Sequence, residues 1–162
     1  MLQKKICMLG AFSVGKTSLV KQFVASIFDD KYLTTVGVKI DKKEITVAGK
    51  DVKLMLWDLA GEDVYNKINA SYLRGASGCI IVVDGTRPDT LSVGQKLITL
   101  VEQELGSVPV VIALNKADLK ANWELEDEAL EQLNSHQAVL ETSALNGQNV
   151  DEMFVQLTEK ML

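Results

Sequence analysis

The sequence predicts one α/β domain built on a mostly parallel β-sheet. Strand-sized apolar runs alternate with segments of helical period, the pattern of a sheet with helices packed on its faces. A glycine-rich loop joins the first strand to the first helix, and one short turn adds an antiparallel strand at an edge. Because 162 residues with 47% apolar side chains can form one core, we expect residues 1–162 to be a single domain.

Six strands are predicted from their apolar content and alternation. They span Lys5 to Leu9, Val38 to Val47, Asp51 to Asp58, Gly78 to Asp84, Val108 to Leu114 and Gln137 to Glu141. Residues 48–50 join the second and third strands as a hairpin. The third strand alternates, so that Val52, Leu54 and Leu56 share one face. The fourth and fifth strands are apolar enough for burial on both faces.

Four helices are predicted from their helical period. They cover Ser18 to Ala25, Thr90 to Leu105, Leu125 to Leu133, and a last helix with an apolar stripe at Val150, Met153, Phe154, Leu157 and Met161. In sheets of this kind ligands bind beyond the carboxyl ends of the strands, so the polar motifs that follow the strands mark the expected site.

The composition argues against several classes of function. The formal net charge is −5 and no basic face is present, which disfavours nucleic-acid binding. The longest apolar runs are strand-sized, and the sequence shows neither a prenylation cysteine at its end nor a myristoylation signal. We therefore expect no direct membrane anchor in this chain, with any recruitment to a membrane coming from a partner or from residues not present here.

The two cysteines, Cys7 and Cys79, lie inside apolar runs and have no accompanying His or acidic residue. This setting favours reduced core thiols over a disulfide, a metal site or a nucleophile. It indicates a reducing, cytoplasmic location.

The glycine-rich loop, called the phosphate loop below, is Gly10 to Thr17 and has the spacing G-x-x-x-x-G-K-[ST]. Its glycines let the backbone curl so that successive N–H groups point at phosphate oxygens. Lys16 is expected to reach the β- and γ-phosphates, and the Thr17 hydroxyl to bind Mg²⁺. The loop predicts a nucleoside triphosphate, bound through Ser13, Val14, Gly15, Lys16, Thr17 and Ser18.

A second motif, Asp58-Leu59-Ala60-Gly61, ends the third strand. The Asp58 carboxylate can hold the Mg²⁺ shell through water, and Gly61 can offer its backbone N–H to a γ-phosphate. Thr34 and Thr35 lie in the polar stretch before the hairpin. A hydroxyl there could close on Mg²⁺ only when the γ-phosphate is present, which predicts a loop with two conformations.

The base is predicted to be guanine. Residues Asn115-Lys116-Ala117-Asp118, called the base loop below, follow a buried strand. The Asp118 carboxylate can accept hydrogen bonds from N1–H and the 2-amino group of guanine, which adenine cannot offer. The Lys116 stem can lie along the base plane. Ser143 and Ala144 follow the last strand and place the Ala144 N–H near the guanine O6.

Together these motifs resemble the Ras superfamily of small GTPases over essentially the whole chain, and most of all its Rab branch. The resemblance to Rab rests on Val36-Gly37-Val38, the run from Lys53 to Gly61, and Ser71-Tyr72-Leu73-Arg74-Gly75-Ala76. It implies a P-loop NTPase G domain, with a six-stranded, mostly parallel sheet, one antiparallel edge strand and five flanking helices. GTP or GDP and Mg²⁺ are expected across its top.

The resemblance also implies individual roles. Thr35 becomes the switch I magnesium ligand beside Thr17 and Asp58, and Leu145 continues the base loop. Phe28 packs edge-on against the guanine, and Tyr32 lies near the phosphates. The residues assigned to catalysis are Lys16, Thr35, Gly61 and Glu62. The implied partners are effectors, exchange factors and activating proteins, which act through the switch regions.

Three positions depart from the family pattern. Phe12 occupies a position that is usually Gly or a small polar residue, and its ring could obstruct an arginine finger from an activating protein. Glu62 stands where the family places the glutamine that orients the attacking water, and an ionised carboxylate cannot donate a hydrogen bond and repels the γ-phosphate. Ile40 replaces an aromatic residue at the end of switch I. We therefore expect slow hydrolysis and a poor response to finger-type activators.

Alternatives stay open for both function and surface. The leading hypothesis is a GTP/GDP switch with turnover. The second is a pseudo-GTPase that keeps its nucleotide as a structural cofactor, which Phe12 and Glu62 favour. A kinase or ATPase is disfavoured by Asp118 and by the absence of an acceptor-binding lid. One apolar set fits either an effector surface or packing on a neighbouring helix: Val64, Tyr65, Ile68 and Tyr72.

Overall fold

A six-stranded sheet organises the chain in the computed structural model, which describes residues 1–26, 28, 37–61 and 69–162, without the side chains of residues 135 and 136. The strands are β1 (Leu2–Gly10), β2 (Val38–Val47), β3 (Lys50–Leu59), β4 (Gly78–Asp84), β5 (Val110–Asn115) and β6 (Ala138–Glu141). Their order is β2-β3-β1-β4-β5-β6, and the β2–β3 pair alone is antiparallel among these strands. The predicted α/β class, with one antiparallel edge strand, is confirmed.

Helices pack on both faces of the sheet. The described residues contain four α-helices, α1 (Lys16–Ala25), α2 (Asp89–Leu105), α3 (Asp127–His136) and α4 (Val150–Met161), and two 3₁₀ helices, Ala70–Leu73 and Ala117–Asn122. The α3 helix lies closer to the carboxyl end of the chain than predicted. Its first turn contains Asp127 and Glu128, whose charges favour a helix start there.

Several strand ends differ from the predicted ones for identifiable reasons. β1 begins at Leu2 because its polar first residues pair with β3, and apolar content alone does not reveal such pairing. β5 begins at Val110, after Pro109, which has no N–H to give to the sheet. The hairpin turn is only Ala48 and Gly49, at φ 52° and 75°, a pair of left-handed residues that matches the twist of a two-residue turn.

The core lies in two layers, one on each face of the sheet. On one face, Phe23 of α1 and Phe154 of α4 stack with ring centroids 4.0 Å apart and an interplanar angle of 9°. On the other face, Cys7 and Cys79 stand in register on β1 and β4, fully buried and not joined by a disulfide. The predicted core thiols are therefore confirmed.

The predicted burial patterns are also confirmed. The alternate β3 side chains Val52, Leu54 and Leu56 are fully buried, and every residue of β4 and β5 is buried. In α4 the apolar stripe faces the core, with Met161 only partly buried. No helix in the described part of the chain is long and apolar enough to cross a bilayer.

We expect Phe154→Ala to lower the free energy of unfolding by about 3–5 kcal/mol, because it removes a fully buried ring and leaves a cavity beside Phe23. Urea denaturation followed by circular dichroism measures this change. The control is Leu2→Ala at a side chain that is 42% exposed, which should change stability by less than about 0.5 kcal/mol. Equal effects of the two changes would contradict the described core.

Candidate functional site

The predicted motifs meet at one edge of the sheet, because the parallel strands all end there. β1 ends at Gly10, β3 at Leu59, β4 at Asp84, β5 at Asn115 and β6 at Glu141. The phosphate loop, Asp58 and the base loop therefore come together from distant parts of the sequence. This is the edge where α/β sheets bind ligands.

The two glycines of the phosphate loop are required by close contacts. A Cβ on Gly15 would lie 2.3 Å from Asn115 Nδ2, and Gly15 has φ 105°, in the left-handed region. A Cβ on Gly10 would lie 2.6 Å from the carbonyl oxygen of Val82 on β4. The loop therefore curls tightly against its neighbours, and α1 begins directly after it.

Lys16 lies inside the loop instead of extending into solvent. Lys16 is only 6% exposed, and its Nζ donates a hydrogen bond to the carbonyl oxygen of Ala11 at 3.1 Å. Burial lowers the pKa of Lys16 to about 8; the negative charge of Asp58 opposes this shift, and the positive charge of Arg87 adds to it. A buried ammonium at this position suits a phosphate ligand.

Thr17 and Asp58 form an oxygen pair at the start of α1 and the end of β3. The Thr17 hydroxyl donates to Asp58 Oδ2 at 2.5 Å, and Asp58 is fully buried. Hydroxyl and carboxylate oxygens are ligands that Mg²⁺ accepts. The described residues contain no group of three or more His, Cys, Asp or Glu that could hold a metal. The donor types of this pair are compatible with the predicted Mg²⁺ site.

Gly61 lies directly against the phosphate loop. A Cβ at this position would lie 2.5 Å from Phe12 Cα and 2.7 Å from Phe12 N, so a side chain is excluded by backbone atoms. The preceding Ala60 donates its N–H to the carbonyl oxygen of Gly37 at 2.8 Å. The end of β3 is thus in contact with both the phosphate loop and the residue before β2.

Asp118 has its carboxylate held in place by the segment after β6. Ser143 Oγ donates to Asp118 Oδ1 at 2.7 Å, and Asn146 donates its N–H to Ser143 Oγ at 3.2 Å. Ala144 is buried, and its carbonyl oxygen accepts a hydrogen bond from Gln22 of α1 at 3.0 Å. The carboxylate predicted to read the base is therefore oriented by hydrogen bonds within the protein.

Asn115 connects the phosphate loop to the base loop. Its Nδ2 donates to the carbonyl oxygen of Val14 at 2.9 Å, and its Oδ1 accepts from Thr142 Oγ1 at 3.2 Å. Both the nitrogen and the oxygen of this side-chain amide therefore form hydrogen bonds within the protein. Val14 is fully buried, and its side chain lies close to Gly10 of the same loop.

Two charged residues at the end of β4 were not found from the sequence. Arg87 Nη1 donates to the carbonyl oxygens of Phe12 at 3.0 Å and Ser13 at 3.4 Å. The fully buried carboxylate of Asp84 lies 2.7 Å from Lys116 Nζ and 4.0 Å from Arg87 Nη1. In the sequence, the only indication of their role is that Asp84 and Arg87 are two charged residues close behind an apolar run, which matches no recognised motif.

Of the remaining predicted residues, some are exposed, Ser18 and Tyr72 are partly buried, and the others lie outside the described part. Phe12 is 38% exposed, Phe28 40% and Leu145 52%. Tyr72 packs on Trp57 of β3, with ring centroids 6.3 Å apart. The following predicted residues lie outside the described residues: Tyr32, Thr34, Thr35, Val36, Glu62, Val64, Tyr65 and Ile68.

The fold and this site define a small GTPase of the Ras type: residues 5–162 match the Ras family, and the chain belongs to that family. It is 40% identical to the Ras-related protein Rab-4A of Homo sapiens, over 98% of this chain and 74% of that protein. The Rab-4A proteins of Rattus norvegicus and Danio rerio are each 39% identical, over 98% of this chain and 74% and 76% of those proteins. The chain is therefore Rab-like, as its motifs predict. Proteins of this family bind guanine nucleotides and Mg²⁺.

The pKa of Lys16 is lowered to about 8. We therefore expect GDP binding to be accompanied by the uptake of a proton at pH values above about 8. Below this pH Lys16 is already charged, whereas above it the free protein has lost the proton that phosphate oxygens favour, so affinity should fall by up to about tenfold per pH unit. Calorimetry in buffers of different ionisation enthalpy measures the uptake.

The control for this measurement is Lys16→Arg, because a guanidinium stays charged across the range. Weaker binding by this variant is acceptable, but its proton uptake should vanish. A wild-type protein that takes up no proton on either side of the transition would contradict a buried Lys16.

Proposed function

We propose that this protein is a GTP/GDP switch that hydrolyses GTP slowly in the presence of Mg²⁺. Its membership of the Ras family supports guanine-nucleotide binding and GTPase activity in general. The observation that carries the proposal is the Asn115 bridge. One side chain contacts both the phosphate loop and the segment that holds Asp118, which supports a single nucleotide that spans the two loops.

The phosphates and metal are assigned to the first half of the site. Lys16 would neutralise the phosphates, and backbone N–H groups of residues 13–18 would cradle them. Thr17 and Asp58 would hold Mg²⁺, joined by Thr35 when GTP is bound. Gly61 would present its N–H to the γ-phosphate.

The guanine is assigned to the second half. Asp118 would accept from N1–H and the 2-amino group, Lys116 would cover one face of the base, and Ala144 would donate to O6. Ser143 orients Asp118, as its 2.7 Å hydrogen bond supports. Three further residues, Phe28, Tyr32 and Leu145, would line the nucleotide.

Slow hydrolysis is proposed from two side chains. Glu62 would accept but not donate a hydrogen bond to the attacking water, and its charge opposes that of the γ-phosphate. Phe12 is 38% exposed on a loop segment whose backbone is in contact with Gly61 and Arg87. A ring there would stand where an activating protein delivers an arginine. Effectors and exchange factors would use the switch regions, in the cytoplasm or at a membrane to which a partner recruits the protein.

Asp118→Asn tests the choice of base. We expect GDP affinity to fall by about ten- to a hundredfold, because a carboxylate that accepts two hydrogen bonds is replaced by an amide. Binding of xanthosine diphosphate should improve, since the new amide can donate to its 2-oxo group. Displacement of a fluorescent nucleotide measures both affinities, and Asp127→Asn on the exposed side of α3 is the matched control. Equal wild-type affinities for ATP and GTP would refute the proposal.

Glu62→Gln tests the slow turnover. In single-turnover assays with Mg²⁺ we expect this change to raise the rate of GTP hydrolysis by about tenfold or more, which corresponds to about 1.4 kcal/mol of barrier. Phe12→Gly should leave the intrinsic rate nearly unchanged and increase the response to an activating protein. A fast wild-type rate without a partner would contradict the proposal. Retained nucleotide with no phosphate release in either protein would instead indicate the pseudo-GTPase.

A further inference from the structure

Lys116 is held at both ends by residues that have no assigned role. Its backbone is in the left-handed region, at φ 71° and ψ 38°, which costs energy for a residue with a side chain. Such a conformation persists only where surrounding contacts maintain it. Two contacts do so here, one at the carbonyl group and one at the ammonium group.

The carbonyl contact comes from Trp123. The indole Nε1 donates to the carbonyl oxygen of Lys116 at 2.9 Å, and Leu119 donates its N–H to the same oxygen at 2.9 Å. The carbonyl group of Lys116 is therefore held by two hydrogen bonds. Trp123 follows directly after the 3₁₀ helix Ala117–Asn122, so its position depends on how that helix is oriented.

The ring of Trp123 occupies the space that Gly85 leaves. A Cβ on Gly85 would lie 2.1 Å from Trp123 Cε2 and 2.4 Å from its Nε1, so the ring lies there only because residue 85 has no side chain. The Gly85 N–H donates to the carbonyl oxygen of Asn115 at 3.1 Å, and Glu124 donates its N–H to the Gly85 carbonyl at 3.3 Å. Trp123 is thereby packed against the end of β4.

The ammonium contact comes from Asp84, the residue before Gly85. Its Oδ2 lies 2.7 Å from Lys116 Nζ, and its Oδ1 accepts from the N–H and the hydroxyl of Thr86 at 2.9 Å and 2.7 Å. Asp84 is fully buried, so its carboxylate has a fixed position. The Lys116 side chain is therefore anchored at its tip while Trp123 anchors its backbone.

The geometry points to Trp123 and Asp84 as positioning residues, which hold Lys116 and the base loop in the arrangement that binds guanine. They thereby set how long the nucleotide stays bound. This inference rests on the proposed function. With Lys116 fixed at both ends, its stem and the nearby Asp118 are preorganised, and less ordering is needed when the base enters. Loosening either contact should shorten nucleotide residence and weaken discrimination between bases.

The test uses Trp123→Phe, which keeps an aromatic ring beside Gly85 but has no N–H to donate. The matched control is the same change at the other tryptophan, Trp57→Phe, whose ring packs on Tyr72. Dissociation of fluorescent GDP and of fluorescent inosine diphosphate, which lacks the 2-amino group, is measured on each full chain with Mg²⁺. The nucleotide-free proteins are also melted.

We expect Trp123→Phe to release GDP about five- to tenfold faster, the factor that loss of one net hydrogen bond gives. The ratio of inosine diphosphate to GDP dissociation rates should fall, because a loosened Lys116 backbone moves Asp118, two residues along the chain, relative to the base although Ser143 still binds its carboxylate. Asp84→Asn should act in the same direction, and Trp57→Phe should match wild type in both rates.

Unchanged GDP release in Trp123→Phe, with wild type binding normally, would overturn this inference and leave the proposed function standing. A lowered melting temperature with an unchanged ratio would also overturn it, because it would show a purely structural role. If wild type binds no guanine nucleotide, the proposed function fails and this inference fails with it.

Discussion

The hydrogen bonds of the Asn115 amide constrain the whole site. One side chain at the end of β5 reaches the phosphate loop after β1 and the segment after β6. These are the two parts of the protein to which the phosphates and the base are assigned in the proposed function. The contact also explains why Gly15 has no side chain, since a Cβ would overlap this amide. A buried amide that is hydrogen-bonded through both its nitrogen and its oxygen is rigid, and rigidity here fixes the distance between the two loops.

Buried carboxylates at strand ends arrange the charges around that amide. Asp58 on β3 accepts the Thr17 hydroxyl and faces Lys16, and Asp84 on β4 faces Lys116 and Arg87. Each carboxylate is fully buried, where an unpaired charge is costly. The cations near them are therefore held in place, so the site keeps its charge arrangement with little freedom to reorganise.

The sequence was sufficient for the parts of the fold and site that follow periodic or motif rules. The α/β class, the alternation of β3 and the burial of β4 and β5 were predicted because each depends on spacing within one segment. The phosphate loop and the base loop were predicted from their residue spacing and from their positions directly after buried strands, and the structure places both at the carboxyl edge of the sheet. The contacts of Asp84, Arg87 and Trp123 were not predicted, because they join segments that only the sheet register brings together.

The burial of the two free thiols, Cys7 and Cys79, has a practical consequence. Both side chains are completely inaccessible to solvent and lie in the interior of the sheet, where the thiols are chemically inert. A cysteine engineered at an exposed site would therefore be the reactive position for maleimide dyes or spin labels among the described residues. Distance measurements by spectroscopy could then be made without first replacing either native thiol.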